Sequence, residues 1–288
     1  MSYVKKYLHK KFLFPLFTGF FVFLFVKFFL FDVVVIKSPS MEPTVKQGEW
    51  FFIKRFFTPE RNDIVQVSLP FSEKDTAQEK IKSFKRITGM PGDSLSVVDS
   101  RIYINGKQVP ENKFFLHNYI AKIKTQSDSS LFAEAGITQK YLIDDSCVYL
   151  LCLTEKRFTE LLTGKKFYSL VSNAEDSALY DENIFPFNPQ IKWNKDFFGP
   201  LYIPKKGDVL KLDTSNIKLY GRLITDFEGN SLKIEKNQIL INETEINTYK
   251  VKQNYYFVTG DNFDSSIDSR QWGFVPENKL KARLLFKH

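Results

Sequence analysis

Arg101-Ile102-Tyr103-Ile104-Asn105-Gly106 is the stretch on which the fold class turns. Three of its first four residues are β-branched or aromatic, the types that fit a pleated, half-buried surface. Asn-Gly then supplies two residues that accept positive φ, the requirement of a type I′ hairpin turn. The chain is therefore expected to run as a strand into this turn and fold straight back. Working outward, Val33–Ile36, Trp50–Ile53, Ile64–Val67 and Tyr255–Val258 are short runs of the same kind, bounded by turn residues. Pro91-Gly92-Asp93, Gly207-Asp208 and Glu228-Gly229-Asn230 mark further tight turns. Regular short strands separated by turns predict a mainly β fold, a barrel or a folded set of sheets. Leu240-Ile241-Asn242-Glu243 looks like Tyr103-Ile104-Asn105-Gly106, too faintly to count as a repeat.

One stretch breaks this rhythm. From Glu111 to about Pro200 the chain is more polar and reads as an α+β insertion. Within it, Thr154 to Leu162 followed by Gly164 predicts a short helix with an N-cap and a C-terminal glycine. Phe71 to Glu79 reads as a polar loop.

Phe12 to Phe31 is almost entirely apolar, interrupted mainly by Thr18, Gly19 and Lys27. About 20 residues is the length that crosses a hydrocarbon core as a helix. Lys5, Lys6, Lys10 and Lys11 precede the run, which places residues 1–11 in the cytoplasm, residues 12–31 across the membrane and residues 32–288 on the outer face. The run leads into Asp32-Val33-Val34-Val35-Ile36 with no small-x-small site, so it reads as an uncleaved single-pass anchor rather than a removed leader. Ser40 lies nine residues beyond Phe31, a reach of ~30 Å at most. The lipid surface is thus an expected partner, with Trp50-Phe51-Phe52 and Phe56-Phe57 as interfacial side chains.

The formal net charge is +8. Beyond the N-terminal lysines the cations are interleaved with Asp and Glu, and no basic helix or RNA-binding aromatic signature appears, so nucleic acid is not an expected partner. Cys147 and Cys152 are too few for a disulfide framework and read as small apolar side chains. His9, His117 and His288 are scattered, which leaves no basis for a metal site or a Ser-His-Asp triad, and no cofactor is expected.

A hydroxyl at neutral pH needs a base beside it to act as a nucleophile. Without an eligible histidine a lysine must serve, and it does so only when burial disfavours its ammonium. Lys85 stands among Ile81, Phe84 and Ile87, just before the Pro91-Gly92 turn. Ser40 sits in Ser38-Pro39-Ser40-Met41-Glu42-Pro43-Thr44, where two prolines restrict φ. Ser38 is placed to donate to a developing oxyanion together with the Ser40 backbone N–H. Gly260-Asp261-Asn262 with Ser266, Asp268 and Arg270 forms a polar cluster in which a hydroxyl can orient the lysine and a carboxylate–guanidinium pair can fix the loop. Taken singly, each string also reads as an ordinary turn or a surface Lys-Arg pair.

Together and in order, these strings resemble those of the type I signal peptidase (leader peptidase) family. The likeness extends over Gly48-Glu49-Trp50, Arg61-Asn62-Asp63-Ile64-Val65, Lys85 through Asp93, and Gly260 through Pro276. It implies a β catalytic core with a variable second region, and a membrane serine endopeptidase that removes signal peptides from exported preproteins after a small residue. Ser40 would be the nucleophile and Lys85 the general base. Ser38 would complete the oxyanion hole with Ser40, and Ser266 would orient Lys85. Arg86, Asp261, Asp268 and Arg270 would be supporting ion pairs, and the secretion translocon a further partner. Pro39 stands where the family often has glycine, and Glu42 where it often has an apolar residue. Phe84 occupies a usually aliphatic position and, with Val34 and Ile36, is expected to narrow the pocket for the small residues. Two other readings compete: a self-cleaving Ser–Lys repressor, which would need a DNA-binding motif, and a catalytically silent anchored protein that binds preproteins or assists assembly.

Overall fold

The computed structural model describes residues 14–22, 31–69, 81–110, 115–125, 130–137, 139–164, 167–236 and 238–285. Its centre is a seven-stranded antiparallel sheet. In spatial order this sheet runs β1 (Phe31–Val35), β2 (Trp50–Lys54), β20 (Leu280–Leu285), β3 (Ile64–Leu69), β4 (Ile81–Gly89), β18 (Tyr255–Thr259) and β19 (Val275–Pro276). Alternation along β3 shows how the sheet divides the core. Ile64 joins a cluster with Ile36, Met41, Val45, Phe51 and Leu284. Val65 and Val67 join another with Ile87, Tyr256, Val258, Trp272 and Leu280.

A second sheet is β12 (Phe198–Tyr202), β5 (Ser94–Val98), β6 (Arg101–Ile104) and β7 (Lys107–Gln108). As expected from Asn105-Gly106, β6 turns directly into β7: Ile104 pairs with Lys107, and Asn105 and Gly106 take φ of 52° and 76°. A two-stranded sheet, β13 (Val209–Lys211) with β17 (Thr248–Lys250), and a three-stranded one, β14 (Leu232–Glu235), β15 (Gln238–Ile241) and β16 (Thr244–Glu245), complete this part.

The faint likeness around Asn105 and Asn242 is a structural repeat. Gly92, Ser94, Leu95, Ile102, Ile104 and Asn105 recur at one constant spacing as Gly229, Ser231, Leu232, Ile239, Ile241 and Asn242. The hydrogen bonds recur with them. Asn105 Oδ1 accepts from Ser94 N and Asn242 Oδ1 from Ser231 N, both at 2.9 Å. Val109 N donates to Ile102 O as Ile246 N does to Ile239 O. The meander β5–β6–β7 therefore has a second copy in β14–β15–β16, and the sequence likeness understated it.

Within the region expected to be an insertion lies a separate four-stranded sheet, β11 (Ser169–Ser172), β8 (Leu116–Lys122), β10 (Val148–Thr154) and β9 (Lys140–Asp144). Tyr119, Ala121, Phe132, Leu151, Leu153, Leu161 and Leu170 form its core. The helix expected after Thr154 spans Glu155–Thr163, with the Thr154 side chain accepting from Arg157 N and Gly164 as C-cap. Cys147 takes φ of 60° in the turn before β10, and both cysteines are free. Of the apolar run, residues 14–22 are helical, and Phe31 opens β1 rather than closing the run. No helix among the described residues is long and apolar enough to cross a membrane. The expected loop Phe71–Glu79 lies outside the described residues.

Candidate active site

Three segments meet at one point. Ser40 lies in a short 3-10 turn, Pro39–Met41, capped by Ser38 and leading out of β1. Lys85 lies on β4, opposite Val65 of β3. The loop after β18 closes over both. Lys85 Nζ donates to Ser40 Oγ at 2.7 Å, and the two side chains come from 1 % and 7 % exposed residues. The indole of Trp272 lies 5.9 Å from the amine. Burial lowers the Lys85 pKa to about 8; Asp268 and Asp261 oppose the fall, and Arg270 adds to it. Desolvation wins because it acts on the whole charge, whereas the nearest carboxylates are already balanced by guanidinium groups.

That balance comes from two buried ion pairs. Arg86 donates to Asp261 from Nε at 2.7 Å and from Nη2 at 2.5 Å. Arg270 donates to Asp268 from Nε at 3.0 Å and from Nη2 at 2.9 Å. Asp268 also accepts from Gly260 N at 3.0 Å, and Asp261 from the Thr44 hydroxyl, so each carboxylate ties the loop to another segment.

The other expected residues fall as follows. Ser38 is exposed, and its Oγ accepts from Ser40 N at 3.2 Å. The two groups expected to bind an oxyanion thus bond to each other. Among the described residues, the buried Ser266 Oγ has no hydrogen-bond partner, and no bond joins it to Lys85. Val34 and Phe84, both partly buried, pack against the cluster that holds Ile36 and Met41, so the three residues expected to line the pocket share the apolar group beside the nucleophile turn.

Sequence reasoning missed three contributors. Asn262 N donates to Ser40 O at 3.1 Å and its Nδ2 to Pro39 O at 3.4 Å, clamping the turn from outside. Gln139 Nε2, just before β9, donates to Glu42 Oε2 at 2.9 Å, so the insertion touches the nucleophile segment. Gly260 does not take positive φ, so its role is not that of a turn glycine. A Cβ there would lie 2.2 Å from Ser266 Oγ and 2.5 Å from Ser40 O. Glycine is needed for close approach, and only the packing reveals that.

The family model described as "Signal peptidase, peptidase S26" matches residues 9–154 and 203–288, leaving out 155–202 of the insertion. The chain is 23% identical over 288 residues to Signal peptidase I of Buchnera aphidicola subsp. Acyrthosiphon pisum, covering 94% of this chain and 71% of that one. It is 26% identical over 284 residues to the same enzyme of Buchnera aphidicola subsp. Schizaphis graminum, covering 93% and 71%. It is 31% identical over 109 residues to Signal peptidase I T of Bacillus subtilis, covering 36% and 50%.

Proposed function

Since the chain belongs to the signal peptidase family, peptidase S26, we propose that it removes signal peptides from exported preproteins with Ser40 as nucleophile and Lys85 as general base. The observation that carries this reading is the 2.7 Å contact between Lys85 Nζ and Ser40 Oγ in a buried setting. With Lys85 neutral, the same contact lets the Ser40 hydroxyl donate to the amine, and attack on the scissile carbonyl becomes feasible. The substrate oxygen would replace Ser38 Oγ as acceptor of the Ser40 N–H, freeing the Ser38 hydroxyl to rotate and donate as well. Lys85 then passes the proton to the leaving amine. A water deprotonated by Lys85 releases the acyl chain. In this scheme Ser266 supplies its buried hydroxyl to orient Lys85, and the pairs Arg86–Asp261 and Asp268–Arg270 hold the loop. Val34, Ile36 and Phe84 line the pocket that admits small residues before the cut bond.

Membrane attachment belongs to the same reading. Residues 12–31 are proposed as a single anchor, with the N-terminus in the cytoplasm and the catalytic part on the outer face of the inner membrane, where the translocon presents preproteins. Support comes from the outer face of β1 and β2. Val33, Val35, Trp50 and Phe52 are each about half exposed, and Val33 pairs with Phe52 and Val35 with Trp50. Phe56, two residues beyond β2, is exposed as well.

The test is cleavage of a purified preprotein in detergent by wild type, Ser40→Ala and Lys85→Ala, from about pH 6 to about pH 10. Wild type should cut at one site after a small residue, with kcat/KM rising toward a plateau above about pH 8, and both variants should lose at least ~1000-fold. A folded wild type that cuts nothing would restore the silent preprotein-binding reading, and activity in Lys85→Ala would assign the base elsewhere.

A further inference from the structure

Three carboxylates of the active-site loop have cationic partners, whereas the carboxylate of Glu42 has none among the described residues. Asp261 and Asp268 are each neutralised by a buried arginine, and the covered side chain of Asp264 has Lys195 4.0 Å away. Glu42, two residues past the nucleophile, is partly exposed. Among the described residues its carboxylate meets only the neutral amide of Gln139. This contact is built rather than incidental. The Gln139 carbonyl accepts from Cys152 N, which fixes the backbone of Gln139 on the edge of the inserted sheet. Leu116 N donates to Asp261 O and Asn118 N to Asp264 Oδ2, which fixes the sheet on the active-site loop.

The two flanks of the nucleophile turn also differ. The chain entering it carries the exposed Lys37 together with Val34 and Ile36, which share an apolar cluster with Phe84 of β4. The chain leaving it turns Glu42 toward the insertion. If the apolar side receives the residues before the cut bond, the residues after it run across Glu42 and Gln139.

We propose that Glu42, held by Gln139, is a specificity-determining residue that selects the charge of the preprotein segment just after the cut bond. The inference rests on the Ser40–Lys85 reading above and adds a role for the inserted region. An uncompensated carboxylate beside the scissile bond attracts a cationic side chain and repels an anionic one, at an energy typical of one charge pair near a protein surface.

The experiment uses the full chain in detergent with preprotein-derived peptides identical up to the cut bond. They carry Lys, Gln or Glu at the second residue after it. Wild type should cleave the Lys peptide about tenfold more efficiently than the Glu peptide in kcat/KM, with the ratio shrinking in high salt. Glu42→Gln keeps the acceptor for Gln139 and should bring the ratio close to one, and Glu42→Lys should invert it. Equal cleavage of all three peptides by an active wild type overturns the proposal, as does an unchanged ratio in Glu42→Gln. If wild type cleaves none of them, the Ser40–Lys85 reading fails first and takes this proposal with it.

Discussion

Burial beneath Ser40 lowers the Lys85 pKa from 10.5 to about 8, a difference of roughly 3 kcal/mol between its protonation states. In the unfolded chain the amine stays protonated up to its ordinary pKa. Between about pH 8 and 10.5 the unfolded state therefore binds the extra proton, and stability rises with pH across that window. Below it the full cost of burying the ammonium remains. Lys85→Met should raise stability by about 2–3 kcal/mol near pH 7 and by much less near pH 10, read from urea unfolding. An equal gain at both pH values would mean that packing, not ionisation, sets the cost. The sequence pointed to Lys85 and Ser40 because their neighbours, apolar residues and prolines, are local features. Gly260 and Asn262 act on partners more than 200 residues away, and no local pattern carries that information.

At the scale of elements, the repeated meander shows how turn chemistry is read. Asn105-Gly106 announced its hairpin because Gly is the common signal for positive φ. Its counterpart, Asn242-Glu243, makes the same turn with a glutamate at φ of 67°. Left-handed backbone costs a residue with a Cβ roughly 1 kcal/mol more than glycine. Glu243→Gly should therefore stabilise the protein by about 0.5–1 kcal/mol, and Gly106→Ala in the first copy should destabilise it by a similar amount. Thermal unfolding of the two variants checks this; shifts of the same sign would contradict the equivalence of the two turns. The helix after Thr154 was legible for the reason the second hairpin was not: its cap and terminating glycine are standard residue types.

Across the whole molecule, the exposed side of β1 and β2 carries valines and aromatic rings next to the segment that leads to Ser40. Trp50 stacks edge-on against Phe52 at 5.7 Å, so its fluorescence reports on that face. Addition of anionic phospholipid vesicles should shift the Trp50 emission to the blue. Phe52→Ser should weaken the binding by about tenfold, the transfer cost of one aromatic side chain being of order 1.5–3 kcal/mol. An emission unchanged by vesicles would remove this face from the proposed membrane contact. Trp193 and Trp272 provide the background for a single-tryptophan comparison.

What the sequence determined by itself were properties that act over a few residues. Strand and turn chemistry gave the β class, and the order of three short strings gave the family. The scarcity of histidine left lysine as the base. What only the tertiary structure decided were properties that depend on distance. The seven-strand order interleaves the last strand between the second and third. The meander is duplicated, and the hydroxyl of Ser266 is buried without a partner among the described residues. The inserted sheet is bonded to both the active-site loop and Glu42. Chain neighbours set propensity, but burial and hydrogen bonding are settled among residues that meet only after the chain has folded.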